Sequence, residues 1–205
     1  MKVIVIIPAA GLGTRMSSAP SARSRKNAPS KQFTEIGGTP ILLHTLRKIA
    51  SVSEVSEIVI ALRQNEIENF RARLPQEAPD LKTNIRFVAG GEHRQHSVAN
   101  ALNSVALAPE DLVLVHDAVR PFVSADIIRN VIDCAHRHGA AVAAMPAVDT
   151  VKQVERTAEG ATVTATLSRE RIVMAQTPQG FRYDVLKKAF DEAAADGFLG
   201  TDESS

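Results

Sequence analysis

The chain has 205 residues, of which 44% are hydrophobic and 23% are charged, and its formal net charge is +1. This composition is that of an ordinary globular protein, and the length suits one domain spanning residues 1–205. The near-neutral charge offers no extended field for nucleic acid or an anionic membrane, and the single cysteine, Cys134, excludes a disulfide framework and a cysteine-built metal site. Pro8 interrupts the N-terminal apolar run Val3–Ile7, so we expect neither a signal peptide nor a membrane span, and a cytoplasmic location.

Short β-branched runs alternate with helical stretches along the chain. The predicted strands share a continuous apolar pattern and are Val3–Ile7, Ile58–Leu62, Ile85–Ala89, Leu112–Val115 and Ala141–Met145. Continuous apolar runs are typical of strands that helices cover on both faces. Repeated strand–helix units therefore predict an α/β sandwich with a mostly parallel sheet.

Three predicted helices have recognisable ends. Thr39 is the expected N-cap of the first, with Pro40 at its first helical position. The second begins at Arg94, where apolar side chains start to follow the helical period. The third is expected to be capped by Ser124 and to stop at Gly139.

Two segments depart from the strand–helix alternation. Residues 17–30 are rich in Ser, Ala and Pro and have no apolar period, which predicts a long loop. Residues 150–167 alternate Val or Thr with polar residues around a turn at Glu159-Gly160, which predicts a β-hairpin. This hairpin has too little apolar surface to be stable alone, so we expect a second subunit to cover it.

The motif PAAGLGTRM directly follows the first strand and is the strongest local signal. Gly11 and Gly13 permit close backbone approach and positive φ, so that successive amides can surround phosphate oxygens, and Arg15 adds a fixed cation. Met16 stands where a dinucleotide fingerprint has its third glycine, and no Walker lysine follows. A later Lys31 favours phosphate binding, with a plain tight turn as the alternative.

Further chemically capable residues lie at or just after predicted strand ends. These clusters are Gly90–Arg94 with Ser97, His116–Pro121, Asp149-Thr150, and Arg169 with Gln176–Gln179. A carboxylate at the end of a buried strand must be paired or metal-bound, which makes Asp117 a candidate Mg²⁺ ligand. The alternative for Asp117 is a structural pair with Arg120, and the alternative for Arg94 is a solvated cation at a helix start.

Six motifs run in order over nearly the whole chain: PAAGLGTRM, Lys31-Gln32-Phe33, GGEHRQHSV, HDAVRPF, VDTVK and the stretch Arg169–Gln179. Together they resemble the family of 2-C-methyl-D-erythritol 4-phosphate cytidylyltransferases of the non-mevalonate isoprenoid pathway. The resemblance implies a Rossmann-like nucleotidyltransferase three-layer sandwich with a mostly parallel sheet. It also implies a protruding β-hairpin arm at about 149–168 that interlocks a homodimer. The implied reaction converts CTP and methylerythritol phosphate into the CDP-linked alcohol and pyrophosphate.

The resemblance also implies roles for individual residues. The implied catalytic groups are Arg15, Lys31 and Arg169, the first two stabilising charge on the α-phosphate. The implied nucleotide-binding residues are Pro8, Ala9, Ala10, Gly11, Gly13, Gly91, Glu92, Arg94, Ser97, Asp117 and Ala118, with 91–97 near the cytosine. The implied acceptor-binding residues are Thr150, Arg169, Thr177 and Arg120, with Thr150 and Arg169 reaching in from the other chain. Asp117 is implied to hold Mg²⁺ or another divalent cation.

The chain departs from the family pattern in two places. Ser30 separates Pro29 from Lys31 and the preceding loop is long, so Lys26 stays an alternative to Lys31. The family continues beyond the position of Ser205 into a last strand with a Lys-x-Thr motif and a second metal carboxylate, so we expect a shortened C-terminal end. Two other functions remain open: a cytidylyltransferase that acts on ribitol 5-phosphate, and a non-catalytic CTP-binding module.

Overall fold

The structure is a computed structural model that describes residues 1–11 and 30–204. The strands are β1 (Val3–Pro8), β2 (Glu35–Ile36), β3 (Thr39–Pro40), β4 (Glu57–Leu62), β5 (Asn84–Ala89), β6 (Leu112–Val115), β7 (Ala140–Pro146), β8 (Val151–Thr157), β9 (Gly160–Leu167) and β10 (Val173–Arg182). The helices are α1 (Ile41–Ala50), α2 (Gln64–Glu77), α3 (Arg94–Asn103), α4 (Ala125–His138) and α5 (Tyr183–Asp196). Every helix in this part of the chain is too short or too polar to pass through a bilayer.

Strands β5, β4, β1, β6, β10 and β7 lie side by side in that order and form the main sheet of the described residues. The pairs β5–β4, β4–β1 and β1–β6 are parallel, whereas β10 is antiparallel to both of its neighbours. The mostly parallel sheet and all five predicted strands are confirmed. The sequence analysis missed β10, because its polar residues and Pro178 interrupt the apolar pattern.

Helices cover the sheet on both faces, which gives the predicted three layers. Alternate residues of β1 point to opposite sides: Val5 belongs to the core beneath α1, α2 and α4, and Ile6 to the core beneath α3 and α5. Both are at most 1% exposed. Continuous apolar runs form the central strands because both faces of each strand are buried.

The helix ends agree with the sequence analysis at α4 and differ at α1. Ser124 Oγ accepts a hydrogen bond from the backbone N–H of Ile127, and Gly139 ends α4 with a φ of 86°. The predicted cap of α1 was wrong, because residues 39–40 pair with residues 35–36 as a short antiparallel ribbon. Helix α1 therefore starts at Ile41 with Pro40 as its N-cap.

The edge of the sheet around β7 is exposed in one chain, contrary to the expectation that helices cover both of its faces. Val142 is 37% exposed and Met145 is 55% exposed. The predicted hairpin is confirmed as β8 and β9, which pair with each other in a separate two-stranded sheet. Val154 and Val163 of the hairpin are both exposed, at 41% and 56%. Its burial by a second subunit stays a prediction.

Candidate active site

The strand order creates a crevice between the ends of β1 and β6. The chain leaves β1 toward β4 and β5 on one side, and it returns to β6 on the other side of β1. The loops that follow β1 and β6 therefore diverge, which is where open α/β sheets bind ligands. Ala9 and Asp117 lie at the starts of these two loops. Strand-like hydrogen bonds continue up to them, since Ala9 N donates to Ala61 O and His116 N donates to Ile6 O.

The loop after β1 is held by side chains from two other segments. Gln32 Nε2 donates to Ala9 O at 2.6 Å, and Arg63 Nε donates to Ala10 O at 3.2 Å. Gly11 does not use the positive φ that glycine permits, and a Cβ added there would meet no atom of the described residues within 4 Å. Gly13, Arg15 and Lys26 lie outside the described residues, as does most of the predicted 17–30 loop.

Lys31 opens a short 3-10 helix, residues 31–33, between two buried polar residues, the N-cap Ser30 and Gln32. Gln32 is 3% exposed and Ser30 is 9% exposed. The Ser30 hydroxyl donates to Glu66 Oε1, and the Gln32 amide lies 3.4 Å from Glu66 Oε2. These bonds fix the backbone on both sides of Lys31. The sequence analysis missed Glu66 because α2, which carries it, has only a weak apolar period.

The loop after β5 packs directly on the loop after β1. Gly90 N donates to Leu62 O at 2.7 Å, and a Cβ at Gly90 would lie 2.2 Å from Ala10 Cβ, which requires glycine here. Gly91 N donates to the buried Ser97 hydroxyl at 3.0 Å, so the structure joins these two predicted nucleotide-binding residues. Glu92 is exposed beside them.

Asp117 lies at the centre of a charged cluster at the end of β6. Its Oδ1 accepts from Arg94 at 3.1 Å and its Oδ2 accepts from Arg120 Nε at 2.9 Å. Its backbone N–H donates to Thr177 Oγ1 at 3.1 Å. The structural pair with Arg120 is thus present. The alternative interpretation of Arg94 as a solvated cation is wrong, because Arg94 pairs with Asp117 and its side chain is 28% exposed.

Thr177 reaches this cluster because the pairing of β10 with β7 shifts register between Ala175 and Gln179. Gln176 lies in the same irregular stretch and accepts a hydrogen bond from Arg120. On the opposite side of Asp117, Ala118 O accepts from the buried Thr45 hydroxyl at 2.9 Å. Backbone and side-chain bonds therefore fix the loop that carries Asp117 at both ends.

The ion pairs keep the cluster charged despite its partial burial. Burial alone would raise the pKa of Asp117, but Arg94 and Arg120 lower that pKa below its ordinary value. Burial alone would lower the pKa of Arg94, and its carboxylate partners, Glu203 and Asp117, raise it instead. Burial does lower the pKa of His116, which is 1% exposed, so its imidazole is neutral at pH 7 and contacts Arg120 O through Nε2.

Residues 198–203 form a segment, here called the strap, that the motif analysis did not assign. Arg94 pairs with Glu203, whose side chain is 2% exposed. Gln179 Nε2 donates to Asp202 Oδ2 at 3.1 Å, and Gln179 Oε1 accepts from Glu203 N at 3.2 Å. The available signal in the sequence was the acidic pair Asp202-Glu203 after Gly197, the glycine that ends α5. Because acidic pairs are common on protein surfaces, this signal did not single out Glu203.

Thr150 and Arg169, the implied acceptor-binding residues of the hairpin, are exposed at its base. Arg169 donates to Val148 O at 2.9 Å. Among the described residues of one chain, neither side chain bonds to the cluster around Asp117. Whether Thr150 and Arg169 take part in a site therefore depends on a second chain.

The described residues contain no group of three or more His, Cys, Asp or Glu side chains that could hold a metal ion. Mg²⁺, however, is usually held by one or two carboxylates, with substrate phosphates and water completing its shell. Asp117, which is 30% exposed at the ligand crevice, fits that mode of binding.

Comparisons with known proteins agree with this geometry. The family model of 2-C-methyl-D-erythritol 4-phosphate cytidylyltransferase matches residues 3–205. Curated relatives of that name from Acidobacterium capsulatum and Solibacter usitatus are 52% and 54% identical over the whole chain, which covers 83% and 82% of their lengths. A crystal structure of 4-diphosphocytidyl-2C-methyl-D-erythritol synthase from Anaerococcus prevotii is 29% identical, with a TM-score of 0.78, and the match covers 99% of this chain and 81% of that one. The chain belongs to the 2-C-methyl-D-erythritol 4-phosphate cytidylyltransferase family.

Proposed function

We propose that this chain transfers a cytidylyl group from CTP to 2-C-methyl-D-erythritol 4-phosphate through the site between β1 and β6. The observation that carries the proposal is the family match over residues 3–205. An oxygen of the acceptor phosphate bonds to the α-phosphorus of CTP, and the bond from that phosphorus to the bridging oxygen breaks. Pyrophosphate leaves with the bridging oxygen, and the CDP-linked alcohol remains.

The acceptor phosphate is already anionic at neutral pH, so the reaction needs no general base to create a nucleophile. The task of the protein is to bring two anions into line and to neutralise the charge that builds on the α-phosphate. Lys31, fixed by its buried neighbours, and Arg15 are the proposed cations for that charge. Arg120 and Thr177 are the proposed contacts of the acceptor phosphate beside Asp117.

Mg²⁺ is the proposed cation of the site, with Asp117 as its protein ligand. The ion supplies charge neutralisation and orientation to the triphosphate when it is bound. Asp117 has hard oxygen atoms, which Mg²⁺ prefers, and Arg94 and Arg120 keep the carboxyl ionised. A cytoplasmic location completes the proposal, because CTP is supplied there and one cysteine fits a reducing compartment.

A homodimer is proposed to complete each site. Apolar side chains at the hairpin base and the adjoining strand ends are exposed in one chain, including Val148 at 73% and Val173 at 63%. A two-fold interface would remove them from water and bring Thr150 and Arg169 toward the other chain's crevice. Thr150 and Arg169 are therefore proposed as acceptor contacts supplied by the second subunit.

The primary test measures pyrophosphate release with each of the four nucleoside triphosphates, with and without methylerythritol phosphate. We expect release with CTP and methylerythritol phosphate together, and its loss in EDTA. Ribitol 5-phosphate in the same panel tests the sister activity. CTP binding without any pyrophosphate release would overturn the catalytic proposal, and full activity in EDTA would overturn the role of Mg²⁺.

Two variants test the charge on the α-phosphate. Lys31→Ala and Arg15→Ala should lower kcat far more than CTP affinity, by about 2–4 kcal/mol of barrier stabilisation. Lys26→Ala is the control that separates the two candidate lysines. Wild-type turnover in Lys31→Ala would remove Lys31 from this role.

The shared site is tested by refolding Lys31→Ala together with Arg169→Ala. If the arms cross, a mixed dimer has one site with both defects and one intact site. Random pairing makes about half of the dimers mixed, so roughly a quarter of wild-type activity should return. No recovery, with mixed dimers confirmed by native mass spectrometry, would show that Arg169 serves its own chain.

A further inference from the structure

Glu203 is a buried carboxylate beside the proposed nucleotide site, and no motif assigns it a role. One oxygen accepts from Arg94 and the side chain is 2% exposed. The other oxygen, Oε2, is buried and has no hydrogen-bond partner in the part of the chain that the structure describes. A carboxylate held in this way is costly to bury, and Arg94 is the cation that pairs with it among the described residues.

The strap is fixed to the same helix turn that carries Arg94. Gln95 Nε2 donates to Phe198 O at 3.0 Å, and Gln95 Oε1 accepts from Gly200 N at 2.8 Å. Gln179, which is 1% exposed, accepts from Glu203 N at 3.2 Å. The side chains of Gln95 and Gln179 thus hold the backbone of the strap and place Glu203 against Arg94.

Arg94 pairs with two carboxylates, Asp117 and Glu203, and only Asp117 has a second proposed role. Asp117 accepts from Arg94 at 3.1 Å and is also the proposed cation ligand. If Asp117 turned toward a cation, Arg94 would still have its bond to Glu203. Without the charge of Glu203, the same movement would leave a largely buried guanidinium with no carboxylate, which is unfavourable.

We propose that Glu203 is a positioning residue, which retains Arg94 so that Asp117 is free to bind the divalent cation that accompanies the nucleotide. The inference rests on the proposed function in one respect, the assignment of the cation to Asp117. Glu203 does not touch the cation in this arrangement. It acts through Arg94 and lowers the cost of separating Arg94 from Asp117.

The test is Glu203→Gln, which keeps the size and one acceptor oxygen of the side chain and removes its charge. We expect the Mg²⁺ concentration for half-maximal pyrophosphate release to rise about fivefold, the equivalent of one partly buried ion pair. The kcat at saturating Mg²⁺ should stay within about twofold of wild type. Glu192→Gln is the matched control, because it removes the same charge from the exposed side of α5, where Glu192 pairs with Lys188 at 3.8 Å.

Mn²⁺ binding in the presence of CTP, followed by electron paramagnetic resonance, gives a readout that does not depend on turnover. Glu203→Gln should weaken Mn²⁺ binding by a similar factor, and Glu192→Gln should not. If the wild type releases no pyrophosphate, the proposed function fails, while the Mn²⁺ titration still decides the role of Glu203.

Gln179→Met is a second variant that keeps the Glu203 charge and removes the bonds that Gln179 makes to Asp202 and to Glu203 N. It should raise the half-saturating Mg²⁺ concentration by a smaller factor, and it decides the matter if Glu203→Gln does not fold. Unchanged Mg²⁺ and Mn²⁺ dependence in a folded variant would overturn the proposal. A fall in kcat at every Mg²⁺ concentration without a shift in the midpoint would do the same, because it indicates a purely structural strap.

Discussion

Replacing Asp117 by Asn tests the charged cluster, because it keeps the shape of the side chain and removes its charge. The change weakens the bonds from Arg94 at 3.1 Å and Arg120 at 2.9 Å. Charge-assisted bonds contribute about 1.5–3 kcal/mol when buried, whereas exposed ion pairs contribute about 0.2–1 kcal/mol. The side chains of Arg94, Asp117 and Arg120 are 28%, 30% and 42% exposed. Because these groups are only partly buried, the contribution should lie where the buried and exposed ranges meet.

We therefore expect Asp117→Asn to lower the free energy of unfolding by about 1.5 kcal/mol, which leaves a typical domain folded. For a chain of this length the midpoint of thermal unfolding should fall by about 3–6 °C. The loss of the proposed cation ligand should reduce kcat/KM by about a hundredfold or more. Urea denaturation, thermal unfolding and pyrophosphate release measure the three effects on one preparation.

The stability difference between wild type and Asp117→Asn should depend on pH in a defined direction. Arg94 and Arg120 hold the pKa of Asp117 below its ordinary value against the effect of burial, so the carboxylate stabilises the folded state above the ordinary pKa of about 4. This stabilisation is lost as the pH falls through the lower folded-state pKa. The stability difference between wild type and Asp117→Asn should be full at pH 7 and should shrink below about pH 4. Equal stability at pH 7, or wild-type kcat/KM in the variant, would refute the reasoning.

Three further predictions concern the loops around the site. Gln32→Met should cost about 1–3 kcal/mol of stability and lower kcat, because Ala9 O loses its 2.6 Å donor; unchanged urea curves would contradict it. Gly90→Ala should raise the KM for CTP, because its Cβ would lie 2.2 Å from Ala10 Cβ; a wild-type KM would show that the loops separate freely. Ser124→Ala, remote from the site, should cost about 1 kcal/mol with kinetics unchanged, and altered kinetics would mean that α4 communicates with the crevice.

Local sequence patterns predicted those elements whose causes are themselves local. Residues 112–115 are all apolar and are buried on both faces of the sheet. This apolar run predicts a strand without any information from the rest of the chain. Ser124 and Gly139 end their helix through bonds within a few residues. The ribbon at Thr39-Pro40 was misread as a cap, because the pairing that defines it depends on residues 35–36 and imitates the chemistry of a helix start.

The sequence by itself determined the α/β class, five of the six strands of the main sheet, the hairpin and the family, because periodicity and ordered motifs are properties of the linear chain. Only the tertiary structure decided that Asp117 is shared by Arg94 and Arg120, and that Glu203 lies buried against Arg94, 109 positions away in sequence. No local pattern encodes these contacts. They follow from the strand order, which brings the ends of β1 and β6 and the irregular stretch of β10 to one crevice, where desolvated charges must find partners in space.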